Sequence, residues 1–315
     1  MSPTDLKIAY AGSAEFSLNV LSELWINRFL LTDVFTQPDK PTGRGRVLTP
    51  TPVKLFSEDK KIRCHTFKKL SFEEQAQILE LNRPDFFIIV AYGLMIPDWL
   101  IDWPKVACVN IHASLLPQWR GASPIQSAIL NNDKYSGVTL MRLNKKMDEG
   151  NVINQASIAI DRLSSSVELS GALSVMGAKM ICDSLKDYKN INWIGEPQDH
   201  KKATYCKKIK KEDGQIDWYS KSIDIHNMVR GYNPWPVAFA KLQDERTMRV
   251  WESEVVDESL QSLPGTILEL SKDNFIVACG EGALKIIKLQ IQGGKVILAR
   301  DFHNSVKNGV SFAAT

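Results

Sequence analysis

Cysteine and histidine are scarce in this chain, five of each in 315 residues, and neither is clustered. Cys64, Cys108, Cys182, Cys206 and Cys279 are odd in number and widely spaced. No CxxC pair or Cys/His group stands at metal-ligand spacing, so a zinc site is not expected, and a reduced, cytoplasmic chain is the simplest expectation. Long apolar runs are lacking as well; nothing approaches the eighteen residues of a membrane-spanning helix. The first residues, MSPTDLKIAYAGS, enter a strand directly, without the basic-then-apolar order of an export leader. An excess of one charge is also missing: the formal net charge is +3, which permits nucleic-acid binding without arguing for it. Finally, Ala11-Gly12-Ser13-Ala14 stands where a dinucleotide fingerprint would begin, but GxGxxG is absent, which excludes the NAD reading.

What is present is a 44% hydrophobic chain, long enough to bury one large core or two smaller ones. Apolar runs of strand length occur at Leu6–Ala11, Thr32–Thr36, Phe86–Tyr92, Ala107–Ile111 and Val138–Leu143. Helical patterns intervene at Ala14–Trp25, Pro52–Lys61 and Phe72–Leu81. That alternation predicts an α/β domain with a doubly wound, mostly parallel sheet. A long amphipathic helix over Val167–Tyr188 closes it, giving a first domain of residues 1–189. Residues 190–211 change character. Asn190, Asn192, Gly195 and Pro197 break structure, and Lys201, Lys202, Lys207, Lys208, Lys210 and Lys211 crowd the stretch, which reads as a basic, solvated linker. From residue 212 to 315 a helical segment (Ile223–Arg230) precedes five short strand candidates, Val237–Leu242, Met248–Glu254, Gly265–Leu270, Asn274–Ala278 and Ala283–Gln292. Five short strands between turn residues suit a small β-barrel of the OB type, or another small β-domain.

The most informative stretch is ACVNIHASLLPQWRGASPIQ, residues 107–126. A short apolar run delivers Asn110 and His112, two apart, so on a strand they project from one face. At the carboxyl end of a strand in an α/β sheet, that face opens onto the crevice where ligands bind. Asn110 offers an amide N–H to a developing oxyanion, and His112 exchanges a proton near neutral pH. A buried strand with a structural His and Asn is the plain alternative, but each polar group would then need a buried partner. A third residue joins them. After the strand Gly137–Leu143 comes Met147-Asp148-Glu149-Gly150, where Asp148 is either a turn residue or the carboxylate that orients a proton-transfer group. Arg120-Gly121 carries the chain toward a helix opening at Ser123-Pro124, a good start signal. Cys108 shares a face with Asn110 and reads as a small core residue, not a nucleophile.

The segment Asn-x-His-x-Ser-Leu-Leu-Pro, followed by Gly137-x-Thr139 and Met147-Asp148-x-Gly150, resembles the active site of the folate-dependent formyltransferases. The likeness extends through LKIAYAGSAEFS, VFTQPDKPTGRGRVLTPTPVK, IIVAYGLMIP, PQWRGASPIQ and GYNPWPVAF, which are similar to the branch that formylates methionyl-tRNA. It implies a Rossmann-like catalytic domain followed by an OB-like barrel that binds tRNA. It implies 10-formyltetrahydrofolate as the formyl donor, with no metal, and initiator methionyl-tRNA as the acceptor. Asn110, His112 and Asp148 match the catalytic set. Val90, Ala91, Tyr92 and Gly93 match the loop whose backbone faces the pterin, and Ser114, Leu115, Leu116 and Pro117 match the tetrahydrofolate pocket. A flat heterocycle needs an apolar slot with backbone donors and acceptors at its edge, which such loops supply. Lys40, Arg44 and Arg46, in the irregular loop QPDKPTGRGR, are expected at the tRNA acceptor end, with Lys207 and Lys208 as further contacts. A monomer is implied by the same likeness. Two departures are visible: Ala113 stands where glycine is common, and Lys145-Lys146 precede Met147.

Two other functions remain open at this level. A formyltransferase acting on an amino sugar or a purine precursor would keep Asn110, His112 and Asp148 but would not need the arginine loop. A folate-sensing or RNA-binding protein without turnover would not need the intact set. Whether His112 acts as base or as charged electrophile, and how initiator tRNA is selected, does not follow from the residues. The C-terminal region is not basic overall, so any RNA footprint there must come from one-sided placement.

Overall fold

The computed structural model describes residues 5–43, 45–71, 77–78, 82–256, 262–305 and 311–312. Arg44, and the expected helix Phe72–Leu81 apart from Gln77 and Ile78, lie outside the described residues. The first strands are β1 (Lys7–Gly12), β2 (Leu30–Thr36), the short β3 (Lys40–Thr42) and β4 (Val47–Thr49), and β5 (Cys64–Thr66). They are followed by β6 (Phe86–Val90), β7 (Ala107–His112), the two-residue β8 (Arg120–Gly121), β9 (Tyr135–Arg142) and β10 (Val152–Ala159). Seven of these form one sheet in the order β10-β9-β7-β6-β1-β2-β5. Every residue of β6 is buried, as is all of β1 but its first residue, because central strands of a parallel sheet are covered on both faces.

Helices α1 (Glu15–Ile26), α2 (Pro52–Asp59) and α5 (Ser166–Lys186) cover one face. Pro52 sits at the start of α2, and the Thr51 hydroxyl caps it by accepting from the Lys54 N–H at 3.1 Å, as sequence signals of this kind require. Asn19 of α1 donates to Ser174 of α5 at 2.7 Å. Gly177 of α5 lies so close to the sheet that a Cβ there would meet Ile111 at 3.0 Å. On the opposite face Phe35, Phe87 and Cys108 pack with Leu100 and Trp103, around the short helix α3 (Asp98–Ile101). Trp103 stands edge-on to Phe87, with ring centroids 5.7 Å apart.

The pairings β1–β2, β1–β6, β2–β5 and β6–β7 are parallel, and β7–β9 is antiparallel. The expected mostly parallel sheet is therefore present, with two strands added at its ends. β5 is only three residues long, and β10 is an edge strand without a buried residue, its apolar positions interrupted by Asn154, Gln155 and Ser157, so neither shows the apolar run that marked the others. The register places Gly12 beside Val90 and Ile89 beside Asn110. The carboxyl ends of β1, β6 and β7 therefore fall together.

By its internal contacts the chain divides into two compact units, one of Met1–Gly121, Ser136–Ile158 and Ser170–Cys206, the other of Ala122–Tyr135, Ala159–Leu169 and Lys207–Thr315. This differs from the division into 1–189, 190–211 and 212–315, because segments distant in sequence share a core. Trp193, Gln198 and Cys206 are buried, and β11 (Tyr205–Cys206) pairs in parallel with β8. The expected linker is thus built into the first unit up to Cys206. Its lysines match the solvated reading; Lys201, Lys202, Lys207, Lys208, Lys210 and Lys211 are all exposed, as are Asn190, Asn192 and Pro197.

The second unit contains α4 (Pro124–Leu130), α6 (Ser222–Gly231), a six-stranded sheet and α7 (Ala299–Ser305). Its strands are β12 (Ala238–Lys241), β13 (Thr247–Val256), β14 (Ile267–Leu270), β15 (Phe275–Ala278), β16 (Ala283–Ile291) and β17 (Ile297–Leu298). They run β12-β13-β16-β15-β14, with β17 also on β16, and every pairing is antiparallel. The five strand candidates all form. The pairings among the described residues make an antiparallel sheet, with none joining β12 to β14 to close a barrel. Trp218, Ile225, Val229, Phe275, Leu284 and Phe302 are among the residues of its core. Among the described residues, no helix is long and apolar enough to cross a membrane.

Candidate active site

The alternation of β7 turns Asn110 and His112 to one face, at the end where the parallel strands stop. His112 is 6% exposed. Its Nε2 lies 2.9 Å from the Trp119 carbonyl oxygen. A carbonyl only accepts, so Nε2 carries the hydrogen, and the neutral ring presents a bare Nδ1. That Nδ1 faces the Asp148 carboxylate at 3.7 Å, beyond hydrogen-bond length. The other oxygen of Asp148, Oδ2, accepts from the Gly121 N–H at 2.9 Å. Asp148 therefore does not serve its turn alone; its side chain reaches back to the segment after β7.

Asn110 is half-buried, and among the described residues its side-chain amide has no hydrogen-bond partner. It is thus an available donor on the strand face that carries His112, the kind of group that can meet a developing oxyanion. Cys108 is fully enclosed, and burial pushes its thiol well above the usual thiol range. It stays protonated at neutral pH, which fits a core residue.

The segment after β7 is stitched from behind by Thr139, which stands opposite His112 on β9. Its hydroxyl donates to the Ser114 carbonyl at 2.6 Å and accepts from the Leu116 N–H at 3.0 Å. Gln155 on β10 donates to the Leu116 carbonyl at 2.7 Å. Ser114 and Leu116 are buried, while Leu115 and Pro117 are half-buried, and the Leu116–Pro117 peptide is cis. Beyond β6 the chain turns through Ala91 and Gly93, both at positive φ (43° and 80°). A Cβ on Gly93 would meet the Gln37 amide nitrogen at 2.4 Å, so glycine is required there. The Tyr92 carbonyl accepts from Gln37 Nε2 at 2.9 Å and Ser13 Oγ at 3.1 Å. Its ring lies in the core with Val90. Of the four residues expected at the pterin, Ala91 and Gly93 are the exposed ones.

Lys40 and Arg46 are exposed on either side of the β3–β4 turn. The loop expected to be irregular is instead a hairpin, because Lys40, Pro41 and Thr42 pair with Thr49, Leu48 and Val47. Lys207 and Lys208 are exposed at the start of the last segment of the second unit. Sequence reasoning missed the residues that hold the site: Thr139, Gln155, Gln37, Arg120 and Gln198. Thr139 belongs to a quoted motif, and its polarity inside an apolar strand was the available signal. Gln198 gave none.

The model of the formyl transferase family matches residues 8–185, and that of the formyl transferase C-terminal domain matches residues 208–307. A methionyl-tRNA formyltransferase of Legionella pneumophila (strain Corby) is 38% identical over 304 residues, covering 96% of each chain. One from Methylococcus capsulatus is 38% identical over 300 residues, 95% of this chain and 97% of the other. Among solved structures, the N-formyltransferase from Helicobacter canadensis, in complex with folinic acid and dTDP-3-aminofucose, superposes with a TM-score of 0.68. It is 19% identical, with 89% of this chain and 98% of that one covered, a likeness of fold alone.

Proposed function

The chain belongs to the formyl transferase family, and from that premise we propose that it transfers the formyl group of 10-formyltetrahydrofolate to the α-amine of methionine on initiator methionyl-tRNA. The product is formylmethionyl-tRNA for translation initiation. The observation that carries this reading is the near full-length likeness, at 38% identity, to proteins named for that reaction. The site's chemistry agrees with it. The methionine amine attacks the formyl carbon, a C–N bond forms, and the formyl oxygen becomes an oxyanion. Asn110 donates to that oxygen. His112 takes the proton shed by the attacking nitrogen at Nδ1, and Asp148 stabilises the resulting imidazolium. Collapse breaks the bond to N10 of the folate, and the proton on Nδ1 returns to that nitrogen, so tetrahydrofolate leaves neutral at N10. The nucleophile belongs to the acceptor, and no covalent enzyme intermediate is needed.

Ala91, Gly93 and the Ser114–Pro117 segment are assigned to the folate. Lys40, Arg44, Arg46, Lys207 and Lys208 are assigned to tRNA phosphates. The same reading has the enzyme acting in the cytoplasm as a monomer. The Helicobacter canadensis N-formyltransferase, in complex with folinic acid and dTDP-3-aminofucose, shares the fold at 19% identity, which does not carry those ligands over to this chain.

The test is turnover of 10-formyltetrahydrofolate with charged initiator methionyl-tRNA beside a nucleotide-linked amino sugar and a purine-precursor ribonucleotide. Product from the tRNA alone is expected. Formylation of a small acceptor without formylmethionyl-tRNA would replace the reading, and folate binding without any product would make the chain a sensor. If Lys40 and Arg46 meet phosphates, Lys40→Ala and Arg46→Ala should each flatten the slope of log affinity against log salt. The expected change is about 0.7–0.9 per lost contact, read from tRNA binding between low and physiological salt.

A further inference from the structure

We propose that Arg120 and Gln198 are positioning residues for Asp148, a buried pair that fixes the carboxylate from behind without touching substrate. The proposal rests on the reading of Asp148 as a catalytic group. Asp148 has φ 52°, a left-handed conformation that a residue with a Cβ holds only when its surroundings impose it. Here they do. Gln198 is 7% exposed, and its Nε2 donates to the carbonyls on both sides of Glu149, Asp148 at 2.9 Å and Gly150 at 2.7 Å. One amide nitrogen thus clamps the turn across its width.

A glutamine amide has two faces of similar shape, and something must decide which points at the turn. Arg120 decides it. Its Nε and Nη2 both donate to Gln198 Oε1, at 3.1 and 2.8 Å. A flipped amide would set its N–H groups against the guanidinium and its oxygen against two carbonyls. Arg120 is 1% exposed, and such a charge needs compensation. Glu149, the middle residue of the same turn, supplies it with Oε1 at 3.4 Å from Nη1. His200 Nδ1 accepts from Nη2 at 3.1 Å, and the Tyr205 hydroxyl accepts from Nη1 at 3.3 Å. The residue after Arg120 is Gly121, whose N–H holds Asp148 Oδ2. The turn is therefore gripped at three consecutive residues by groups that radiate from one buried cation.

Gln198→Glu tests this with almost no change of shape. The new carboxylate still accepts from Arg120, but it sets an acceptor against two carbonyls where a donor was. A kcat about 10²-fold lower is expected, the scale of a catalytic group displaced by about 1 Å. KM for both substrates should stay within about twofold, since neither binds Gln198. In an Asp148→Asn background, Gln198→Glu should add no further loss, because both changes act through one group. Wild-type kcat in Gln198→Glu, or full additivity with Asp148→Asn, would overturn the proposal. If Asp148→Asn alone keeps wild-type activity, the catalytic reading of Asp148 fails instead. Should Gln198→Glu not fold, Gln198→Asn, one methylene shorter and still neutral, is read by the same criteria.

Discussion

Replacing His112 by alanine should leave formyl transfer about 10³-fold slower at saturating substrate, within the range for loss of a positioned acid–base group. The reason lies in which nitrogen is free. Nε2 is committed to the Trp119 carbonyl at 2.9 Å, so proton exchange falls to Nδ1, the atom that faces Asp148 at 3.7 Å. Alanine also removes the imidazole donor from the Trp119 carbonyl, which keeps its contact from the Cys206 Sγ at 3.5 Å, so the loss of one hydrogen bond costs about 0.5–1.5 kcal/mol of stability. His112→Gln separates the two effects. Its amide nitrogen replaces Nε2 as donor to Trp119 but takes no proton, so stability returns while the rate does not. Single-turnover kinetics with urea unfolding of the same samples give both numbers. A glutamine variant that recovers the rate would make His112 a structural residue.

The strand face of the candidate site was legible because local rules carried it, while Asp148 joined it through the resemblance. Strand alternation puts Asn110 and His112 on one face, and the end of β7 is where that face opens. The scaffold behind it was not legible. Gln198 and Arg120 lie 78 residues apart, and no period or cap joins them. Gln198 sat in a polar, lysine-rich stretch whose composition matches a solvated hinge, yet Trp193 nearby packs on Phe86 with ring centroids 4.5 Å apart. A single buried aromatic outweighs several exposed lysines in deciding where such a segment goes. The same holds for residues 122–135 and 159–169, which join the second unit; for 122–135, α4 packs against α6, a contact decided in three dimensions. β10 escaped because an edge strand exposes polar side chains that mask its period.

Asn110→Asp should be more damaging than Asn110→Ala, and that order is the sharper statement about the oxyanion. Removing one donor to a tetrahedral oxyanion costs about 10²–10³ in kcat, which is the expectation for alanine. Aspartate has the same shape and the same place in β7, between Ile89 and Met141 in the register. It supplies no donor, and it sets a negative charge where the formyl oxygen becomes negative. Two like charges 4 Å apart repel by about 4 kcal/mol at an effective dielectric constant of 20, enough to bring the total loss past about 10⁴. Asn110 has no hydrogen-bond partner among the described residues, so neither substitution breaks a structural bond, and folate affinity should hold in both. The measurement is kcat for wild type and the two variants, with binding of tetrahydrofolate as the control. If aspartate is as active as alanine or better, the amide does not face the developing charge. The oxyanion would then fall to His112 in its protonated form, and the base to a water held by Asp148.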